Sequence, residues 1–400
     1  MKMKRSVFLL SLLILYTLIS SCSRPEEGIY IIDAVRQEFA PDKRVAIFDV
    51  NGEVSNGKLH LTGETSLPSA MESLEERLAE LKIKFVNDVQ ILPDKKDLKN
   101  RTWGVVTVSV ANIRVEPSNG AEMATQAILG TPVRIYKKTE KGSYYRVQTP
   151  DGYLGWIDNN SFKLMDQKQF DAWRDASKVI YLEDHGYVYE RPGVNKRVSD
   201  LVAGSLLEKI QSVKDHVIVA FPDGRRGVIP DAEVMDFMEW LETRNPTIPS
   251  ILKTSERYMG TPYLWGGTST KMMDCSGFTK TVFFLNGVII PRDASQQVHE
   301  GIFLTDNVEF LEKVPEASLV FFGRKATKDT PQRVWHVGIW LGNGQMIHED
   351  GPLKIEALDP ILPSFNKNRY DTFFSARNYL DAIGSGQIVW IKDHEWYVSK

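Results

Sequence analysis

Two prolines in five residues, Asn245-Pro-Thr-Ile-Pro249, divide the chain. Proline lacks an N–H and turns the residue before it away from helical backbone. No helix interior or central strand accommodates both, so the segment marks a boundary. The two sides also differ in kind. Before the prolines, residues 101–165 run in short β-rich stretches between turns: Gly104-Val-Val-Thr-Val-Ser-Val110, Pro132-Val-Arg-Ile-Tyr136, Ser143-Tyr-Tyr-Arg-Val-Gln148 and Gly152-Tyr-Leu-Gly-Trp-Ile157. This predicts a small all-β module. Residues 178–235 repeat the pattern in degenerate form. Val188-Tyr-Glu-Arg-Pro192 echoes Asn112-Ile-Arg-Val-Glu-Pro117, and Gly227-Val-Ile-Pro230 echoes the Gly152 stretch. Two such copies predict tandem modules of one design.

The remaining segments complete a multidomain α+β reading. Residues 23–100 form a small α/β segment, with β-rich Arg44-Val-Ala-Ile-Phe-Asp-Val50 and a helical pattern from Ser66 to Leu81. Ser66 and Ser69 are its candidate N-caps. The β modules occupy 101–165 and 166–245. Residues 246–380 read as helix, loop, helix and then strands. Residues 381–400 form an extension, in which Gln387-Ile-Val-Trp-Ile391 is expected to pack back as a strand.

Residues 1–22 stand apart. Met1-Lys2-Met3-Lys4-Arg5 is a basic start, Val7 to Ile19 is almost wholly apolar, and Ile19-Ser-Ser-Cys22 closes the run. These are the regions of a secretory signal, too short for a stable membrane span. Small residues before a Cys resemble the lipobox of bacterial lipoproteins, which implies a lipid on Cys22, export and a membrane anchor. The chain has 2 Cys. With Cys22 lipidated, Cys275 is an unpaired thiol in an exported protein, either reactive or silent. Neither a disulfide framework nor a multi-Cys metal site is then available within the chain. The formal charge of −3 comes with no basic cluster, which leaves nucleic-acid binding without electrostatic support.

Cys275 lies where chemistry is to be expected. The turn-rich run Tyr258-Met-Gly-Thr-Pro-Tyr-Leu-Trp-Gly-Gly-Thr268 leads to Met273-Asp-Cys-Ser-Gly-Phe278, with Phe278, Val282 and Leu285 at helical spacing. Asp274 stands at the N-cap position and Cys275 in the first turn. Free amide N–H groups and the helix dipole favour a thiolate there, and a backbone N–H is available to an oxyanion. A base is needed too. Val334-Trp-His-Val-Gly-Ile-Trp-Leu341 reads as a buried strand, Gly342-Asn-Gly344 as a hairpin turn and Met346-Ile-His-Glu349 as the return strand. The even separation of His336 and His348 lets a hairpin bring both to one face. A Cys at a helix start facing His on adjacent strands is a papain-like arrangement. A zinc site from the same three residues is the sharper rival, with suitable ligand types but no local ligand pairs.

Asp274-Cys-Ser-Gly-Phe278, Tyr263-Leu-Trp-Gly-Gly267, Pro291-Arg-Asp-Ala-Ser-Gln-Gln297, His336-Val-Gly-Ile339 and His348 resemble the NlpC family of bacterial cell-wall cysteine peptidases. The β modules resemble bacterial SH3-like barrels. The resemblance implies a papain-like catalytic domain behind two SH3-like barrels. Its triad falls on Cys275 as nucleophile, His336 as base and His348 as orienter, with no cofactor and no metal. Tandem barrels before such a domain are similar to the γ-D-glutamyl-L-diamino acid endopeptidases of dipeptidyl-peptidase VI type. That implies murein peptides with a free N-terminal L-Ala as substrate, with diaminopimelate or lysine at the third position. It implies binding of the amine by Glu122, Tyr153 and Asp274, with Ser276, Ser295, Tyr263 and Trp265 lining the D-Glu and L-Ala pockets. The expected protein is a monomer, held to the membrane through Cys22. The rivals are a broad D,L-endopeptidase cutting intact peptidoglycan with the barrels as wall-binding modules, and a non-catalytic wall-binding lipoprotein with an idle thiol.

Overall fold

The computed structural model describes residues 25–399; the leader and Cys22 lie outside them. Residues to Asp94 form one compact unit. Its three-stranded sheet runs Phe48–Ser55, Lys58–Thr65, Phe85–Ile91, the first pair antiparallel and the second parallel. The parallel pair needs a crossover, which the helix Pro68–Glu80 supplies. Ala70, Met71, Leu74 and Leu78 of that helix meet Ile32 and Val35 of the helix Glu27–Phe39 and Val50, Leu59 and Leu61 of the sheet. Neither Ser66 nor Ser69 caps the Pro68 helix. Leu67 holds the cap position without a side-chain bond, because the Ser66 hydroxyl is taken by the backbone N–H of Ile47.

The second unit begins at Lys95 and contains two seven-stranded antiparallel sheets. The strands of the first lie between Trp103 and Met165, those of the second between Lys178 and Asp236. Numbered from each sheet's own start, both follow the spatial order 7-1-4-5-6-2-3. The repeat legible as two degenerate sequence echoes is therefore a repeat of topology. Each sheet encloses its own apolar cluster, around Ile113, Val133, Val147 and Ile157 in one and Val188, Leu207, Val219 and Ile229 in the other.

At the proline segment, Thr247 caps the helix Ile248–Arg257 through a capping box with Ser250, and Pro249 falls in its first turn. Beyond it a six-stranded antiparallel sheet runs in the order Ile302–Thr305, Phe373–Asn378, Leu319–Arg324, Arg333–Gly342, Gln345–Glu349, Leu353–Ala357. The nucleophile helix Cys275–Leu285 packs on it. Phe278, Val282 and Phe283 share a core with Leu319, Phe321, Val337, Ile339 and Ile347. Each such buried side chain is worth about 1.5–3 kcal/mol, which fixes the helix start against the histidine strand. Residues Val389–Trp390 pair with Val288–Ile289 as a short added strand.

Candidate active site

The nucleophile helix starts at Cys275 because Asp274 ends the preceding loop in extended backbone and accepts from the Gly277 N–H at 2.7 Å. Gly277 admits no side chain: a Cβ would overlap the carbonyl oxygen of Gly267. Asp274 does more than cap. Its Oδ1 also accepts from Arg292 Nη1 at 3.0 Å and Ser276 Oγ at 3.3 Å, and its Oδ2 from Arg292 Nη2 at 2.7 Å and the Gly266 N–H at 2.8 Å. Arg292, its side chain 1 % exposed, also donates to Ser276 Oγ and, from Nε, to Thr125 Oγ1 of the first barrel, both at 3.0 Å. It sits inside the quoted run 291–297, yet no sequence argument singled it out.

Cys275 is only 8 % exposed. Burial and the neighbouring Asp274 charge push its thiol up to about 12, against the opposing pull of the Val337 and Ser276 backbone N–H groups. The thiolate expected from the helix start is therefore not the resting form. Loss of hydration outweighs the amide groups of one helix end. His336 is held well below the ordinary histidine value, first by burial and then by Arg369, His348 and Lys354. Thiol and imidazole both rest neutral.

The histidines meet as follows. His336 Nε2 lies 2.8 Å from His348 Nδ1, with the rings at 90°. Register places Ile339 opposite Ile347 and Trp340 opposite Met346, so His348 lies diagonal to His336 and level with Gly338. A Cβ on Gly338 would come to 3.0 Å from the His348 Cβ, so the glycine keeps the crossing open. Sequence reasoning also missed Glu356, whose Oε2 lies 2.9 Å from His348 Nε2. A usable signal was present. His348 pairs with Lys354 across Asp350-Gly-Pro352, and the His348–Glu356 separation is even, as for the two histidines.

Two arms from the first barrel reach this site. Glu122, exposed, accepts from Trp265 Nε1 at 2.8 Å, and Trp265, 61 % exposed, adjoins the Gly266 that binds Asp274. Tyr153, buried, donates to Asp293 Oδ2 at 2.8 Å, and Asp293 follows Arg292. Tyr263 is half-buried. Burial, with the Cys275 and Asp274 charges, keeps its phenol protonated beyond the usual range. Ser276 is buried between Asp274 and Arg292, and Ser295 lies half-buried in the short helix Ala294–Gln297.

The loop carrying Tyr153 is held from other sides too. Lys280 of the nucleophile helix pairs with the fully buried Asp151 at 2.8 Å, and His394 of the C-terminal extension bonds the Pro150 carbonyl at 3.1 Å. Lys280→Met should destabilise the protein by about 3 kcal/mol, the low end for orphaning a buried charge. Adding Asp151→Asn should restore part of that in urea unfolding.

Comparison with known proteins finds two family matches along the chain. Residues 260–370 match the NlpC/P60 family and residues 113–162 the bacterial dipeptidyl-peptidase SH3 domain. This chain carries an NlpC/P60 cysteine-peptidase domain behind a bacterial SH3 domain. It is 26 % identical over 271 residues to a γ-D-glutamyl-L-lysine dipeptidyl-peptidase of Bacillus cereus, covering 66 % of this chain and 77 % of that one. It is 26 % identical over 295 residues to dipeptidyl-peptidase 6 of Lysinibacillus sphaericus, covering 70 % and 98 %. An NlpC/P60 family protein from Bacillus cereus shares the fold with TM-score 0.58 at 21 % identity, over 70 % of this chain and 99 % of that one. All five quoted blocks from Tyr263 to His348 fall within the NlpC/P60 match.

Proposed function

We propose that this NlpC/P60 protein hydrolyses the bond between γ-D-glutamate and a diamino acid in murein stem peptides whose N-terminal L-Ala is free. The observation that carries the reading is the junction of the first barrel with the nucleophile block, through Glu122–Trp265 and Tyr153–Asp293. A barrel seated there closes the cleft on the substrate's amino-terminal side and supplies an exposed carboxylate for an ammonium. The lone pairs of Asp274 are engaged by Arg292, Ser276 and two backbone N–H groups. Asp274 thus serves the ammonium by charge, while Glu122 and Tyr153 offer direct contacts.

His336 takes the Cys275 proton as sulfur attacks the γ-glutamyl carbonyl, and the Cys275 N–H receives the developing oxyanion. His336 then protonates the departing amine of the diamino acid, leaving an L-Ala-γ-D-Glu thioester that water cleaves. Because both partners rest neutral, proton transfer accompanies attack rather than preceding it. Ser276, Ser295, Tyr263 and Trp265 line the pocket for the two retained residues. Lipid on Cys22 holds the enzyme to a membrane of the cell envelope, where it works as a monomer on released wall fragments.

The test compares L-Ala-γ-D-Glu-diaminopimelate with its N-acetyl form. We expect kcat/KM at least about tenfold lower for the acetylated peptide, from loss of a charged hydrogen bond. Glu122→Gln should raise KM for the free-amine peptide and narrow that ratio. Equal turnover of the two peptides would instead establish a broad D,L-endopeptidase.

A further inference from the structure

We infer that Glu356 is a positioning residue that sets the tautomers of both histidines and so decides whether His336 can act as a base at all. The inference rests on the reading of Cys275 and His336 as nucleophile and base. Glu356 lies in the strand Leu353–Ala357, one strand beyond His348 and two beyond His336. Both of its oxygens are held by donors. Lys354 Nζ lies 2.8 Å from Oε1, and Asn366 Nδ2 donates to Oε2 at 2.6 Å. The His348, Lys354 and Asn366 bonds hold the carboxyl well below its usual range. An ionised carboxylate only accepts.

From that fixed end the protons follow in order. His348 Nε2, 2.9 Å from Glu356 Oε2, must carry its proton. When the imidazole carries that one N–H alone, His348 Nδ1 is an acceptor. His336 Nε2, 2.8 Å from it, must then be the donor. That leaves Nδ1 of His336 as a bare lone pair, the state a general base requires. It is the nitrogen left for Cys275, whose sulfur receives the backbone N–H of the next residue, Val337. Reversing the end of this ladder reverses every rung. It would place a proton on His336 Nδ1 and leave the thiol without an acceptor. Glu356 has a second effect through the same bonds. His336 becomes cationic during attack in surroundings where Arg369 and Lys354 already oppose that charge, and Glu356 is the anion at the far end of the ladder.

Glu356→Gln tests this with little change of shape. The charged Lys354 outcompetes the neutral Asn366 amide for the single oxygen of Gln, so that oxygen turns toward Lys354 and the amide NH₂ toward His348 Nε2, where the Asn366 bond is lost. His348 then accepts at Nε2 and donates from Nδ1, and the ladder runs backwards. A carboxylate-to-amide change beside the base of a Ser-His-Asp triad lowers kcat about 10⁴-fold. One imidazole further out we expect about 10²-fold, with KM for the stem peptide changed less than about twofold. The decisive variant is Glu356→Gln combined with Lys354→Met. Without Lys354 the amide oxygen is free to face His348 and Asn366, so at least about a tenfold recovery of kcat is expected. A purely structural Glu356 would give further loss. Nitrogen-15 shifts of His336 and His348, recorded on the folded protein without substrate, should show the exchanged tautomers in the single variant and the original ones in the double. A Glu356→Gln enzyme within about threefold of wild-type kcat, no recovery in the double variant, or unchanged tautomers would overturn the inference. Retained hydrolysis in Cys275→Ala would overturn the underlying reading, and the tautomer measurement separates the two failures.

Discussion

Arg292→Met should destabilise the protein by about 5 kcal/mol, the upper end for removing one partner of a buried ion pair, and should abolish measurable hydrolysis. The Arg292 side chain is 1 % exposed and its partner Asp274 is buried too, so neither charge has much water to fall back on. Met fills much of the volume but supplies no donor. Asp274 would keep only the Gly266 and Gly277 N–H groups and the weaker Ser276 contact, and Thr125 would lose its link from the barrel to the catalytic block. The effect reaches the nucleophile. Asp274 already opposes the Cys275 thiolate and Arg292 offsets it, so removing the arginine raises the barrier to sulfur attack. Urea unfolding followed by circular dichroism measures the first effect and muropeptide turnover the second. Arg292→Met with Asp274→Asn should recover roughly half the lost stability, because no buried charge then stands alone. Arg292→Lys should recover less, since one ammonium cannot span both carboxylate oxygens. A loss below about 1 kcal/mol for Arg292→Met would remove the ion pair from any account of how the site is built.

The residues readable from sequence and those that were not differ in how their partners are specified. Asp274 and Cys275 were legible because a helix cap is a local event, set by an acceptor three residues before the N–H it receives. His336 and His348 were legible because a tight turn converts sequence parity into a shared face. Glu356 obeyed the same rule across Asp350-Gly-Pro352 and was overlooked, since a Glu on a strand has no rarity to draw attention. Arg292 and Lys280 belong to another class. Their partners, Thr125 and Asp151, lie more than a hundred residues away in the first barrel, and no spacing encodes such a pairing. Glu122 and Tyr153 became candidates only through family resemblance, and the structure shows their present partners to be Trp265 and Asp293. The Ser66 cap failed for the same tertiary reason, its hydroxyl claimed by Ile47. The thiolate expected at Cys275 is not the resting form because the hydration that burial removes outweighs the amides at the helix start.

Glu349→Gln should make the protein more stable, and increasingly so as pH rises from about 4.5 to 8. Glu349 follows His348 on the return strand and is 0 % exposed. Neither carboxylate oxygen has a hydrogen-bond partner among the described residues. Its cross-strand neighbour Leu353, and Ile347 two residues earlier, belong to the same apolar core as Cys275 and Phe278, so the carboxyl faces a medium that rejects charge. Burial, then the charges of Asp274 and Asp350, push it up to about 8 from an ordinary value near 4.5. The sign follows from proton counting. Between these two values the unfolded chain has released the proton and the folded chain still holds it, so stability falls as pH rises. Below pH 4.5 both states are protonated and the cost vanishes. Above pH 8 it is complete, at roughly 3–5 kcal/mol for a shift of this size. Gln matches the neutral acid in shape and cannot ionise, so the variant should equal wild type near pH 4 and exceed it by several kcal/mol at pH 8. Urea unfolding at pH 4, 6 and 8 reads the difference, and a gap that stays constant across these pH values would show that Glu349 titrates normally in the folded protein.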